Sequence, residues 1–109
     1  MKVDLSQPIL ELDGSVSMIP DGSGVEGQLK PLDLGTACIR ALFTPSRDDE
    51  TKDTPEAKQK RFAVGVLLGK GGTVSLTVEE AALIVSRAWV VYMTPLVPGR
   101  IQELLDPKD

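Results

Sequence analysis

The amino-acid sequence predicts one small α+β domain, an N-terminal β-hairpin packed with three to four α-helices, and three observations carry that prediction. Residues 9–18 alternate apolar and polar side chains around Asp13-Gly14, which is the period of a strand and a dipeptide suited to a tight turn. From residue 33 onward apolar residues recur every three to four positions instead, the period of a helix. A length of 109 residues, with 41% hydrophobic and 26% charged side chains, gives room for a single core. The chain divides accordingly into a hairpin over 1–20, a glycine-rich loop over 21–32 and a helical part over 33–109 with an acidic linker at 44–54.

Each element has its own local cause. The hairpin is formed by Ile9-Leu10-Glu11-Leu12 and Ser15-Val16-Ser17-Met18 on either side of Asp13-Gly14. Pro20 to Pro31 holds Gly22, Gly24 and Gly27 with Asp21 and Ser23, a composition that reads as a mobile loop. Asp33 is placed to cap a first helix, with Leu34, Cys38, Ala41 and Leu42 on one face, ending near Phe43 before Thr44-Pro45-Ser46. Thr54-Pro55-Glu56 starts a second helix that runs to Leu68: threonine caps, proline suits the first turn, and the glutamate meets the positive end of the dipole. Its inward side is expected to use Ala57, the stem of Arg61, Val64 and Leu68.

Thr73-Val74-Ser75-Leu76 is β-favouring and is read as a third short strand beside the hairpin. Thr77-Val78-Glu79-Glu80 has the spacing of a capping box and opens the clearest helix, with Ala81, Ile84, Val85, Ala88, Trp89 and Tyr92 in phase. That helix is expected to form the centre of the core and to end at Thr94-Pro95, and a last short helix is expected from Pro98 with Ile101, Leu104 and Leu105 folding back.

Composition narrows the chemistry. The chain has no histidine and one cysteine, Cys38, which removes imidazole catalysis, Cys/His nucleophilic pairs and Cys/His zinc sites within one chain. Cys38 falls inside an apolar helical pattern and reads as a buried, inert thiol. Twelve basic against sixteen acidic residues give a net charge of −4, the wrong sign for general phosphate binding. Residues 1–56 carry 5 basic and 11 acidic groups, whereas residues 57–109 carry 7 and 5, a polarity that a partner can read. The only basic cluster, Lys58, Lys60, Arg61 and Lys70, has Phe62 as its sole aromatic neighbour, so no nucleic-acid partner is expected. An acid and a proline within the first ten residues do not suit a secretory signal, and no apolar stretch reaches membrane-spanning length. A cytoplasmic protein of its host cell, without a membrane partner, is expected.

Two nominal motifs lack their context. Gly22-Ser23-Gly24-Val25-Glu26-Gly27 matches G-x-G-x-x-G, but prolines flank it where a strand and a helix are required. Gly65 to Gly71 has the wrong glycine spacing for a phosphate loop. Glu79 and Glu80 sit at a helix start, where they favour the dipole and do not face each other as a catalytic pair would. The acidic group Asp48, Asp49, Glu50, Asp53 and Glu56 lacks calcium-loop spacing and reads as solvated surface available to a basic partner. Trp89 and Tyr92, three apart, are expected to share a face and to serve either the core or an interface. Leu83, Val90 and Val91 fall off the main stripe of their helix, so that helix needs cover on a second side, from the last helix or from another chain.

Met1-Lys2-Val3-Asp4-Leu5-Ser6-Gln7-Pro8-Ile9-Leu10 with Leu12-Asp13-Gly14, Leu34-Gly35 leading into Cys38-Ile39-Arg40-Ala41-Leu42, and Leu76-Thr77-Val78-Glu79-Glu80-Ala81-Ala82-Leu83-Ile84 together resemble small uncharacterised proteins of tailed phages and prophages. The resemblance implies a non-enzymatic protein-binding factor, without cofactor or metal, acting on a host or phage protein. The expected contact residues are Asp48, Asp49, Glu50, Asp53, Trp89 and Tyr92. A virion or tail assembly chaperone, a homodimer and a small carboxylate enzyme are the alternatives.

Overall fold

The computed structural model describes residues 1–46 and 53–105 as one α+β domain. Its elements in chain order are β1 (Lys2–Asp4), β2 (Met18–Pro20), β3 (Leu29–Pro31), α1 (Leu34–Phe43), α2 (Pro55–Leu68), β4 (Thr73–Ser75), α3 (Val78–Val91) and α4 (Leu96–Leu105). The strands form two antiparallel pairs, β1 with β4 and β2 with β3.

The helix starts follow their sequence signals. Asp33 accepts a hydrogen bond from the Thr36 amide at 2.7 Å, and Thr54 accepts one from Ala57 at 3.1 Å. At α3 the capping box is complete: the Glu80 amide donates to Thr77 Oγ1 at 3.1 Å while the Thr77 amide donates to Glu80 Oε1 at 2.8 Å. These bonds satisfy amides that the first helical turn leaves without partners. The last helix begins two residues earlier than expected, at Leu96. Proline is tolerated anywhere in a first turn, since amides there need no intrahelical acceptor, and Pro98 lies buried inside it.

The sheets depart from the sequence expectation in three ways. The Asp13-Gly14 turn forms, with Gly14 at φ 88° and its amide donating to the Glu11 carbonyl at 3.0 Å. Its flanks pair as a short hairpin but form no longer strand ladder: they join at a Leu10–Val16 bridge, with the Glu11 amide donating to the Ser15 carbonyl at 2.7 Å and the Ser17 amide to the Ile9 carbonyl at 2.9 Å. The stretch from 21 to 32, expected as loop alone, contains β3 and closes a second hairpin with β2, paired Met18 with Pro31, Ile19 with Lys30 and Pro20 with Leu29. Gly22, Gly24 and Gly27 form its tip at φ values of 82°, 81° and 83°, which only glycine adopts without strain. Finally, β4 pairs with β1 and not with the hairpin, setting Val3 opposite Val74. Val3 and Val74 both turn into the core.

The centre of the core is α1 rather than α3. Leu34, Ala37, Cys38, Ala41 and Leu42 are buried, and α1 packs against α2, α3 and α4. Its supply of small residues lets three neighbours approach one helix. Ile9, Leu68, Leu76, Ile84, Ile101 and Leu105 close around it. Because α2 and α3 both lean on α1, a groove of about 600 Å³ remains between them, with Lys60, Ala63, Leu83 and Ser86 on its walls.

Candidate interaction surfaces

The long side chains that cross between elements are committed to structure. Arg61 of α2 meets Asp53 through two hydrogen bonds, 2.9 and 2.6 Å long. The two side chains are only 14% and 5% exposed, so the pair joins the start of α2 to its own second turn with little water present. Arg87 of α3 donates to the Thr44 carbonyl at 2.8 Å, tying α3 to the end of α1. Arg100 of α4 donates to the carbonyls of Leu10 and Glu11, each at 3.0 Å, and thereby fixes the base of the N-terminal turn.

Of the sequence-predicted contact residues, Asp48, Asp49 and Glu50 lie outside the described residues. Asp53 is not presented to a partner, since its carboxylate is enclosed with Arg61. Tyr92 and Trp89 bond to different helices. Tyr92 ends α3 as its C-cap in extended geometry, and its hydroxyl donates to the Ala37 carbonyl of α1 at 2.8 Å. Burial pushes its pKa up to about 12. Trp89 reaches α4 instead, where its indole N–H donates to Gln102 Oε1 at 2.8 Å. The indole is 47% exposed, so its polar edge is satisfied and its apolar surface faces solvent.

Trp89 belongs to a larger apolar surface on α3. Ala81, Ile84 and Ala88 face the core, and Val78, Ala82, Ser86, Trp89 and Met93 follow one another on the outer side, all exposed. Met93, just beyond the helix, is 101% exposed. Ala82 and Ser86 form a low ridge between the α2–α3 groove and a second groove of about 320 Å³ against α4, walled by Val85, Gln102 and Leu105. The sequence surplus of apolar residues on this helix is thus only partly covered by α4.

A second apolar surface, which the sequence reading missed, lies on the β2–β3 ribbon. The register places Met18, Pro20, Leu29 and Pro31 on one face, and all four are exposed. Ile19, on the other face, packs toward the core. The clue was available: Val16, Met18 and Pro20 continue the alternation past the hairpin, but the glycines that follow marked the stretch as a loop. At the tip, Asp21 accepts from the Ser23 amide at 2.8 Å. Hydrogen bonds from Ser23 hold its carboxyl below the usual carboxylate range.

The thiol of Cys38 is fully buried in α1, and burial, reinforced by the negative charge of Asp33, pushes its pKa up to about 12. It is therefore a packing group and not a nucleophile. Among the described residues no group of three or more His, Cys, Asp or Glu is arranged to hold a metal ion, and no helix is long and apolar enough to cross a membrane. No protein-family model matches the chain, and comparisons with curated proteins and with solved structures gave no match.

Proposed function

We propose that this chain is a non-enzymatic protein-binding factor of a tailed phage, acting on a host or phage protein through the outer face of α3. One observation carries the reading: Trp89 offers a half-exposed indole whose N–H is already bonded to Gln102. Such a side chain gives up little on binding, because no polar group loses water and two torsions are already held. The neighbouring ridge of Ala82 and Ser86, with grooves on both sides, suits an apolar segment of a partner. The phage setting is supported by the resemblance of the chain to small phage and prophage proteins.

The test is site-specific photo-crosslinking from position 86, on the ridge beside the indole, and from position 12, an exposed control site, in infected cells. A single host protein captured from position 86 only, and lost on Val78→Asp, supports host takeover. Equal capture from both positions, or none, defeats the reading. Virion or tail assembly is the second reading, and the exposure of Met93 and Val90 next to Trp89 favours it, because a surface that shields an aggregation-prone chain needs adaptable apolar groups. Capture of a head or tail protein decides for it.

A further inference from the structure

The tripeptide Asp-Gly-Ser occurs twice, as Asp13-Gly14-Ser15 in the first turn and as Asp21-Gly22-Ser23 at the tip of the β2–β3 ribbon, and the chain has no asparagine. In an Asp-Gly pair the glycine nitrogen can attack the preceding carboxyl with no Cβ in its way. Next to the reacting atoms the two sites are alike. Gly14 and Gly22 have φ values of 88° and 82°, both are exposed, and nothing lies within 4 Å of where a Cβ would stand on either. In each, the aspartate Oδ1 accepts the amide of the serine two residues on, at 2.9 and 2.8 Å. Bonds from those serines hold both carboxyls below the usual carboxylate range, so acidity does not separate the sites.

What differs is the amide that must react. The Gly14 N–H donates to the Glu11 carbonyl at 3.0 Å. Arg100 holds that same carbonyl at 3.0 Å, and the Glu11 amide donates to the Ser15 carbonyl at 2.7 Å. Ring closure at Asp13 therefore breaks into an anchored turn. Gly22 is placed otherwise. The bonds of the tip run from the Asp21 amide to Gln28, from Gln28 to Val25, from Val25 to the Ser23 hydroxyl and from Ser23 to Asp21. They pass Gly22 by, and its N–H has no acceptor among the described residues.

We infer that Asp21-Gly22 is the site at which the folded chain isomerises to isoaspartate, making the ribbon tip a substrate for a carboxyl methyltransferase that uses S-adenosylmethionine, while the fold protects Asp13-Gly14. The Gly22 nitrogen bonds to Cγ of the protonated Asp21 carboxyl, the Cγ–OH bond breaks, and the amide proton leaves with the hydroxyl as water. The succinimide then takes up one water at either carbonyl. Opening at the original backbone carbonyl leaves Gly22 joined through Cγ, with one more methylene in the backbone and a free α-carboxylate, the group such an enzyme methylates. The added methylene falls beside the Asp21-to-Gln28 bond that closes the ribbon. None of this rests on the function proposed for α3.

The test ages the purified full chain at physiological temperature and neutral pH. Isoaspartate is quantified by methyltransferase labelling with S-adenosylmethionine and located by peptide mass mapping. It is expected to form at 21 about fivefold faster than at 13, the fold-change that one net backbone hydrogen bond supplies. In concentrated urea the fold no longer tells the two tripeptides apart, and equal rates are expected. Arg100→Ala is expected to speed the reaction at 13 and leave 21 unchanged, and Asp21→Glu to remove the signal at the tip. Equal rates in the folded chain, a faster reaction at 13, or no isoaspartate at 21 overturns the inference. So does a preference for 21 that persists in urea, or a folded Arg100→Ala chain that keeps the wild-type ratio. Should Arg100→Ala lose its circular dichroism signal, the comparison of folded and urea-treated wild type decides alone.

Discussion

Helices α1 and α3 are built from the same kinds of residue, yet they end in opposite situations. In α1 the apolar residues occupy one broad face and are sealed by three other helices. In α3 the core fully buries only Ala81, Ile84 and Ala88, Leu83 and Val85 pack partly against it, and Val78, Trp89 and Val90 stay exposed. The difference teaches that apolar content alone does not locate a core. Small side chains do: Gly35, Ala37, Cys38 and Ala41 let neighbours approach α1 from several directions, whereas the small residues of α3's outer side, Ala82 and Ser86, meet solvent.

The sharpest way to break this comparison is to truncate one residue on each helix. Leu42→Ala empties a sealed site in α1, and a loss of about 2–5 kcal/mol is expected in urea unfolding. Trp89→Ala is expected to change stability by about 0.5 kcal/mol or less, as for an exposed site, while abolishing crosslinked partner at the α3 face. Equal losses of stability from the two would erase the distinction.

Next in size is the Asp53–Arg61 pair. Asp53→Asn leaves a guanidinium with little access to water, and a cost of about 3 kcal/mol is expected by the same unfolding assay. Replacing both residues by leucine and methionine is expected to recover part of that loss. If Asp53→Asn is silent, the pair is solvated and Asp53 is open to partners after all.

Alkaline titration comes third and probes the α1–α3 contact directly. The Cys38 thiol and Tyr92 hydroxyl both ionise near pH 12 in the folded protein, against 9.0 and 10.0 when unperturbed. The unfolded chain therefore gives up these protons first. Their contribution to stability is complete below pH 9 and declines as the pH rises toward 12. Thermal unfolding measured from pH 8 to 11 should show a falling midpoint, with the fall reduced in Cys38→Ala. The smallest effect is expected from Thr77→Ala, about 1 kcal/mol, because it removes one cap of α3 and touches neither face.

Much of the helical part was legible because its signals are local. Thr54-Pro55 and Thr77 with Glu80 act within a single turn, and the helices start where those residues stand. Strand pairing was less legible, since Lys2 finds Ser75 across most of the chain through a run of three residues, too short for a period to show. The ribbon was obscured by its own glycines. At the α3 surface, residue type singled out Trp89 and Tyr92 together, but Tyr92 stands four residues past the buried Ala88, so it continues the core stripe and bonds the Ala37 carbonyl of α1. Asp53 was misread for a different reason: its partner Arg61 is eight residues on, inside a helix, and only the fold brings them together.

The grip of Arg100 on two carbonyls near the N-terminal turn makes the aim of the ribbon depend on a residue at the far end of the chain. A lysine there, with no rigid fork to span both oxygens, would loosen the turn while every ribbon residue stayed the same. Sequence drift in the last helix can therefore redirect an arm it never touches.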